Sequence, residues 1–285
     1  MFTDKKIMAP LWIAYPEYDR YSAGWRSGTG QQYKEKFTHW YASLDEEEKA
    51  CYQQLFPRPV IWSGYWENKD TCDIVCAGSM AIEKWSSDMR PAYTPENIMN
   101  SISSGEKVEF HPFYGHKPSA DSTVTDSCLS QWWMCDFTFL GKKFCCMEQF
   151  MMAHKAMAFG DKEMLIEIMA ETDPKEMKAL GRRVRNFDSG VWSRIGYTIV
   201  LNGNYYKFSQ NPELMDFLLS TGDKIIVEAS PRDKIWGIGM GKNNPDAHNP
   251  DKWRGRNLLG FAFTEVRDEI RRVWRNAYLC TTGIE

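Results

Sequence analysis

No stretch of this chain stays apolar for the 18 or so residues that a membrane-spanning helix needs. Among its 8 cysteines and 5 histidines there is no Cys-x-x-Cys pair to complete a zinc-finger ligand set, so a structural zinc is not expected. No Gly-x-Ser-x-Gly elbow and no Cys/His nucleophile pairing occurs, which removes the common acyl-transfer machinery. Neither sign of charge is in excess: 35 Lys and Arg against 38 Asp and Glu leave a formal net charge of −3. Coating nucleic acid by bulk charge is therefore excluded, while a local basic patch is not. Internal repeats and low-complexity tracts are absent. The run after Met1 is too short and too polar for a signal peptide. Cys72 and Cys76 read as two reduced thiols rather than a metal pair, and the expectation is a reduced, cytoplasmic protein without metal or other cofactor.

What is present divides into two textures. Residues 1–105, rich in Tyr and Trp, form an N-terminal extension, and residues 106–285 a more regular domain. In the first part, Leu11 to Tyr15 reads as a short strand. Ser43-Leu44-Asp45-Glu46 reads as a capping box opening a helix that Pro57 and Pro59 stop. Thr94-Pro95-Glu96 starts another helix, and Val108 to Phe113 a strand. Beyond them, Phe137 to Phe144 reads as a hairpin turning at Gly141. Helices are expected over 147–159, 161–170 and 174–184, and over 191–208 despite Gly196 and Gly203. A further helix follows Asn211-Pro212-Glu213, then a buried strand over 224–227 and a final helix over 257–274. The fold class is α+β, helix-rich, with a small β-sheet under the pocket.

The chemistry concentrates in two places. On the helix from Met147, Glu148, Met152 and Lys155 share one face, in surroundings made apolar by Phe150, Met151 and Ala153. A charged pair in an apolar wall tends to have shifted pKa values and a task, although spacing alone also fits a solvated surface pair. Between the last strand and last helix, Glu228 is followed by Asp233, Trp236 and Gly237-Ile238-Gly239-Met240-Gly241. These glycines fail the dinucleotide fingerprint and read as room for a ligand or for loop motion. Gly181-Arg182-Arg183-Val184-Arg185 is balanced between a helix C-terminus seeking cations and a phosphate clamp.

Taken in order, Leu129-Ser130-Gln131-Trp132-Trp133, Met147-Glu148-Gln149 with Lys155-Ala156, Gly181-Arg182, Lys207 to Leu214, Glu228 to Gly239 and Trp253 to Gly260 resemble the NADAR family over about residues 110–275. Gln149 departs from the histidine common in that family, which puts substrate hydrogen bonding there in doubt. The resemblance implies an N-glycosidase that cleaves a C1–N bond between ribose and a base. It implies Glu148, Lys155 and Asp233 as catalytic residues, with Trp132, Arg182, Glu228, Trp236, Gly237, Trp253 and Asn257 against the substrate. Glu148 or Asp233 would stabilise the cation and activate water, the other serving as acid. Lys155 would hold a carboxylate or attack C1 as a desolvated amine, and neither route requires a metal. The expected substrate is ADP-ribosylated guanine in nucleic acid, in a toxin-antitoxin or phage-defence setting. The alternatives are a ribosylamine phosphate of the riboflavin pathway and, in another class, an ADP-ribose-binding module without turnover.

Overall fold

The chain runs α1 (Leu11–Ala14), α2 (Gly28–Ala42), α3 (Glu46–Leu55), β1 (Ile74–Ala77), β2 (Met80–Glu83), α4 (Pro95–Ser103), β3 (Phe110–Phe113), β4 (Phe137–Phe139), β5 (Lys142–Phe144), α5 (Met147–Ala158), α6 (Lys162–Ala170), α7 (Pro174–Arg182), α8 (Ser189–Ser209), α9 (Pro212–Ser220), β6 (Ile225–Glu228) and α10 (Leu258–Trp274). This is a computed structural model, and it describes residues 6–69, 74–77, 80–117, 119 and 123–280. The α+β, helix-rich class follows directly from the element order. Cys72 lies outside the described residues, and with it the Cys72–Cys76 question. Among the described residues no helix is long and apolar enough to cross a membrane, and no three His, Cys, Asp or Glu gather as a metal site.

Helix α8 is the axis of the molecule, and every residue from Ile195 to Ser209 is buried. A glycine inside a helix costs about 1 kcal/mol relative to alanine. Here Gly203 is required, because a Cβ would sit 2.6 Å from Met147 Cε and Phe150 Cδ1 of α5. The close approach of α5 to α8 that the glycine permits offsets its propensity cost. Helix starts follow the acidic caps: Asp161, Asp173 and Asp188 each accept a backbone N–H from the first turn of α6, α7 and α8. The capping box of α3 is centred on Asp45 and Glu48 rather than Ser43, which instead closes α2. Leu11 to Tyr15 is a helical turn and not a strand. The amides of Ile13 and Ala14 both return to Pro10 O, which turns Trp12 into a cluster with Trp62, Tyr65 and Trp66.

The described strands form three two-stranded sheets. The β4–β5 hairpin turns through Leu140 and Gly141, at φ 48° and 71°, the pair of left-handed residues that matches strand twist. In the parallel pair β3–β6, Phe113 stands opposite Glu228. Among the described residues the far edge of β6 has no strand partner, and it is satisfied by Asn257 and α10. Thr264 Oγ1 accepts from Ile226 N at 3.1 Å, and Asn257 accepts from Glu228 N at 2.9 Å while donating to Ile226 O at 3.0 Å. An edge strand buried this way must find such partners. Gly260 has no side chain because Ile226 O lies against it.

Residues before 105 and after it share a hydrophobic core: Trp12, Tyr52, Phe56 and Trp62 belong to the same cluster as Phe150, Ile199, Val266 and Ile270. Polar ties run across it from α10 and the residues just after it. Glu269 Oε1 accepts from Val60 N at 2.7 Å, Glu265 Oε1 from Ala92 N at 2.7 Å, and Asn276 Nδ2 donates to Leu55 O at 2.8 Å.

Candidate active site

The carboxyl ends of β3 and β6 open into a cleft of about 1140 Å³, the position where parallel strands commonly present a ligand site. Three carboxylates reach it from three elements. Glu228 ends β6. Glu148 sits in the first turn of α5, its amide bonded to Gln131 O at 2.9 Å. Asp233 lies on the segment after β6, where its Oδ1 accepts from the amides of Ile235 and Trp236, both at 2.8 Å. That turn presents the Trp236 ring to the same cleft.

Trp132 closes one side. Its Nε1 donates to Glu148 Oε2 at 3.0 Å, the His116 ring lies 5.2 Å from its ring, and Lys178 Nζ stands 5.8 Å from the ring centre. The segment bearing Trp132 is held from beneath by Lys207, a fully buried lysine donating to Cys128 O at 2.6 Å and Ser130 O at 3.1 Å. Helix α7 adds Lys178 and Arg182 to the lining. It comes close to α5 because Gly181 leaves room for Met152, whose sulfur a Cβ would strike.

The electrostatics follow from this arrangement. Burial raises the Glu148 carboxyl above its ordinary range, and Lys178, the Trp132 N–H and Arg182 pull it back. Burial, then the neighbouring Asp233, pushes Glu228 up to about 8. Its Oε2 is buried without a hydrogen-bond partner. Lys155 is lowered by burial and then by Arg182. Its Nζ donates to Gly181 O at 2.6 Å and lies 4.1 Å from the centre of the Phe187 ring.

Glu148, Lys155, Asp233, Trp132, Arg182, Glu228 and Trp236 all line the cleft. Gly237, Trp253 and Asn257 stand behind its wall. A Cβ on Gly237 would lie 2.9 Å from Glu228 O, Trp253 donates to Ala247 O at 3.0 Å beside Phe110 and Phe261, and Asn257 is spent on β6. Gly237 and Gly239 do not leave open space, whereas Gly241 has nothing within 4 Å of where a Cβ would sit. Ile238 N returns to Glu228 O, Gly239 N to Asp233 O and Arg254 N to Ile238 O, while Arg256 N, Asn257 N, Leu258 N and Leu259 N return to residues 234–237. Gly237 and Gly239 are backbone packing positions rather than hinges.

Two further expectations change. The arginine cluster is split: Arg182 faces the cleft, whereas Arg185 binds Asp161 at 2.6 Å and Glu163 at 3.0 Å on another face, with Arg183 beside them. Gln149, where a histidine was the alternative, is turned away from the cleft. It accepts from Cys145 N and donates to the carbonyls of Ile168 and Glu171 at the end of α6. Lys178 and Lys207 were missed by sequence reasoning. Lys178 was findable, since it precedes Arg182 by four residues on one helical face. In the sequence Lys207 stands only as the first residue of the stretch Lys207 to Leu214, with no role attached to it.

The NADAR domain family matches residues 113–271. Over 146 residues the chain is 47% identical to an N-glycosidase of Acanthamoeba polyphaga mimivirus, covering 50% of this chain and 86% of that protein. It is 31% identical to an N-glycosidase of Nostoc punctiforme, covering 48% of this chain and 78% of the other. Identity to a chloroplastic riboflavin biosynthesis protein of Zea mays is 30%, over 43% of this chain and 19% of that one. The NMR structure of the E. coli protein YbiA aligns at a TM-score of 0.48 and 20% identity, covering 63% of this chain and 93% of that chain.

Proposed function

The chain belongs to the NADAR family, and we propose that it is an N-glycosidase hydrolysing a C1–N ribosyl bond, with ADP-ribosyl-guanine in nucleic acid as its substrate. The observation that carries this reading is the pairing of acidic and basic groups in one cleft. Glu148, Glu228 and Asp233 line it together with half-buried Lys178 and with exposed Lys117, Arg182, Arg232 and Lys234. Cleavage passes through an oxocarbenium-like ribose, which a nearby carboxylate stabilises. Glu148, steadied by Trp132, and Asp233, steadied by two amides, are suited to that charge and to taking the proton of the attacking water. Trp236 offers a face for the base, and Arg182 a donor for phosphate. Lys155, already donating to Gly181 O, holds the end of α7 rather than a carboxylate.

The ADP-ribosyl substrate is favoured by size. A volume of about 1140 Å³ exceeds the roughly 300–1000 Å³ of ordinary small-molecule sites, and the several cations lining it suit two phosphates. The riboflavin-pathway reading is favoured by the names of the maize relative and of a Vibrio vulnificus one. Mass spectrometry of products from an ADP-ribosyl-guanine DNA oligonucleotide and from a riboflavin-pathway ribosylamine phosphate, offered in parallel, separates them. Release of guanine-bearing DNA, abolished by Glu148→Gln, is the expected result. Cleavage of the small phosphate alone would move the enzyme to metabolite repair. Retention of both substrates uncut would leave a binding module.

A further inference from the structure

The three carboxylates lining the cleft are not equivalent. Glu148 Oε2 accepts the Trp132 N–H, and Asp233 Oδ1 accepts two amides. Glu228 receives none of this. Its main chain is locked by Asn257, by pairing of β6 with β3 and by Ile238 N on its carbonyl. Its side chain is directed into the cleft with one oxygen, Oε2, buried and without a partner. An ionised carboxylate in that position would carry an unpaired, desolvated oxygen, which is costly, whereas a neutral carboxyl bears it far more cheaply. The charged groups facing it are Asp233 on the following segment and Glu148 on α5, both acidic, and Lys178 on α7.

We infer that Glu228 is the proton donor of the reaction, held as a neutral carboxylic acid and delivering its proton to the departing base. This rests on the N-glycosidase reading. The step balances as follows. The C1–N bond breaks with its electron pair going to the base nitrogen, which takes the Glu228 proton. Water adds to C1 and gives its proton to Glu148 or Asp233, and solvent returns a proton to Glu228. The role assigned to a second acid thereby moves from the Glu148–Asp233 pair to a third residue. Burial and Asp233, which hold the Glu228 carboxyl near 8, are what allow it to stay loaded at neutral pH.

Two measurements on the full chain test it. The first is the pH profile of kcat/KM on the ADP-ribosyl-guanine oligonucleotide for the wild type and for Glu228→Gln, an isosteric change. The wild type loses rate on the alkaline side. The variant is slower by about 10²–10⁴-fold and has no alkaline limb. A variant within threefold of wild type, or one that keeps the limb, overturns the inference. The second needs no turnover: the infrared carbonyl stretch of a protonated carboxyl at pH 7, present in wild type and removed by Glu228→Gln. Its absence from the wild type overturns the inference even if the enzyme is active. If wild type cuts neither offered substrate while the band is present, the N-glycosidase reading fails and the neutral carboxyl stands.

Discussion

Asn257 offers a sharp test of whether the wall behind the site positions chemistry or touches substrate. It is fully buried, takes φ +54°, and satisfies Glu228 N and Ile226 O. Asn257→Ala leaves two buried backbone groups unpaired, at about 1–3 kcal/mol each. It also forces an alanine into the left-handed region at a further ~1–2 kcal/mol. The sum, about 3–8 kcal/mol, is a large part of the ~5–15 kcal/mol that holds a protein folded. Asn257→Gly removes the conformational penalty alone and recovers about 1 kcal/mol of the loss. Denaturant unfolding of the three proteins at one pH, with kcat and KM measured alongside, gives the answer. An alanine variant within 1 kcal/mol of wild type, or one of unchanged stability and raised KM, would refute the argument and make Asn257 a substrate contact.

Stability should also depend on pH through Glu228. Its folded value, about 8, lies above its ordinary 4.5, so its contribution is full below 4.5, declines as pH rises towards 8 and is flat above. Over that window the wild type should lose a few kcal/mol relative to Glu228→Gln, seen in paired urea melts at pH 5 and pH 8; parallel curves would contradict the raised carboxyl. Arg182→Ala should raise KM for a phosphorylated substrate about tenfold and leave kcat within threefold, since an exposed cation contributes roughly 1–2 kcal/mol of binding common to ground and transition states. Steady-state kinetics with a fall in kcat alone would place Arg182 in the chemistry instead. Truncation to residue 108 onward should yield a chain without a cooperative melt, because it strips Trp12, Tyr52 and Trp62 from the shared core. A sharp transition in calorimetry would mean that the C-terminal part folds by itself.

The sequence was legible where the physics is local. The Asp-capped helices, the hairpin at Gly141 and the Glu148–Lys155 face of α5 all rest on spacing over a few residues, and each was recovered. What was lost depends on distant encounters. Lys207 reads as one more polar residue in a helix, and only the fold shows that its partners Cys128 and Ser130 lie 79 and 77 residues away. Helix α2 escaped notice because its inward face is only Gly30, Tyr33 and Phe37, and glycines at 28 and 30 look like breakers. Gly237 and Gly239 suggested freedom because a sequence cannot distinguish a glycine needed for motion from one needed for contact. Asn257 was selected with the right motif, and in the fold its side chain is hydrogen-bonded to the strand carrying Glu228, a pairing that spacing in the sequence does not show.

The segment from Ser230 to Arg256 is tied down by backbone hydrogen bonds to itself, to β6 and to the start of α10. A wall fixed in this way delivers Asp233 and Trp236 ready-made, so little ordering entropy is lost when a ligand arrives. The same rigidity removes closure as a source of discrimination, since no lid on this side can be drawn shut by the correct base and left ajar by a wrong one. If Glu228 supplies the proton as inferred above, fidelity then comes from exclusion: a wrong glycoside is turned away when its leaving nitrogen does not reach that acid, and not by a failure of the site to assemble around it.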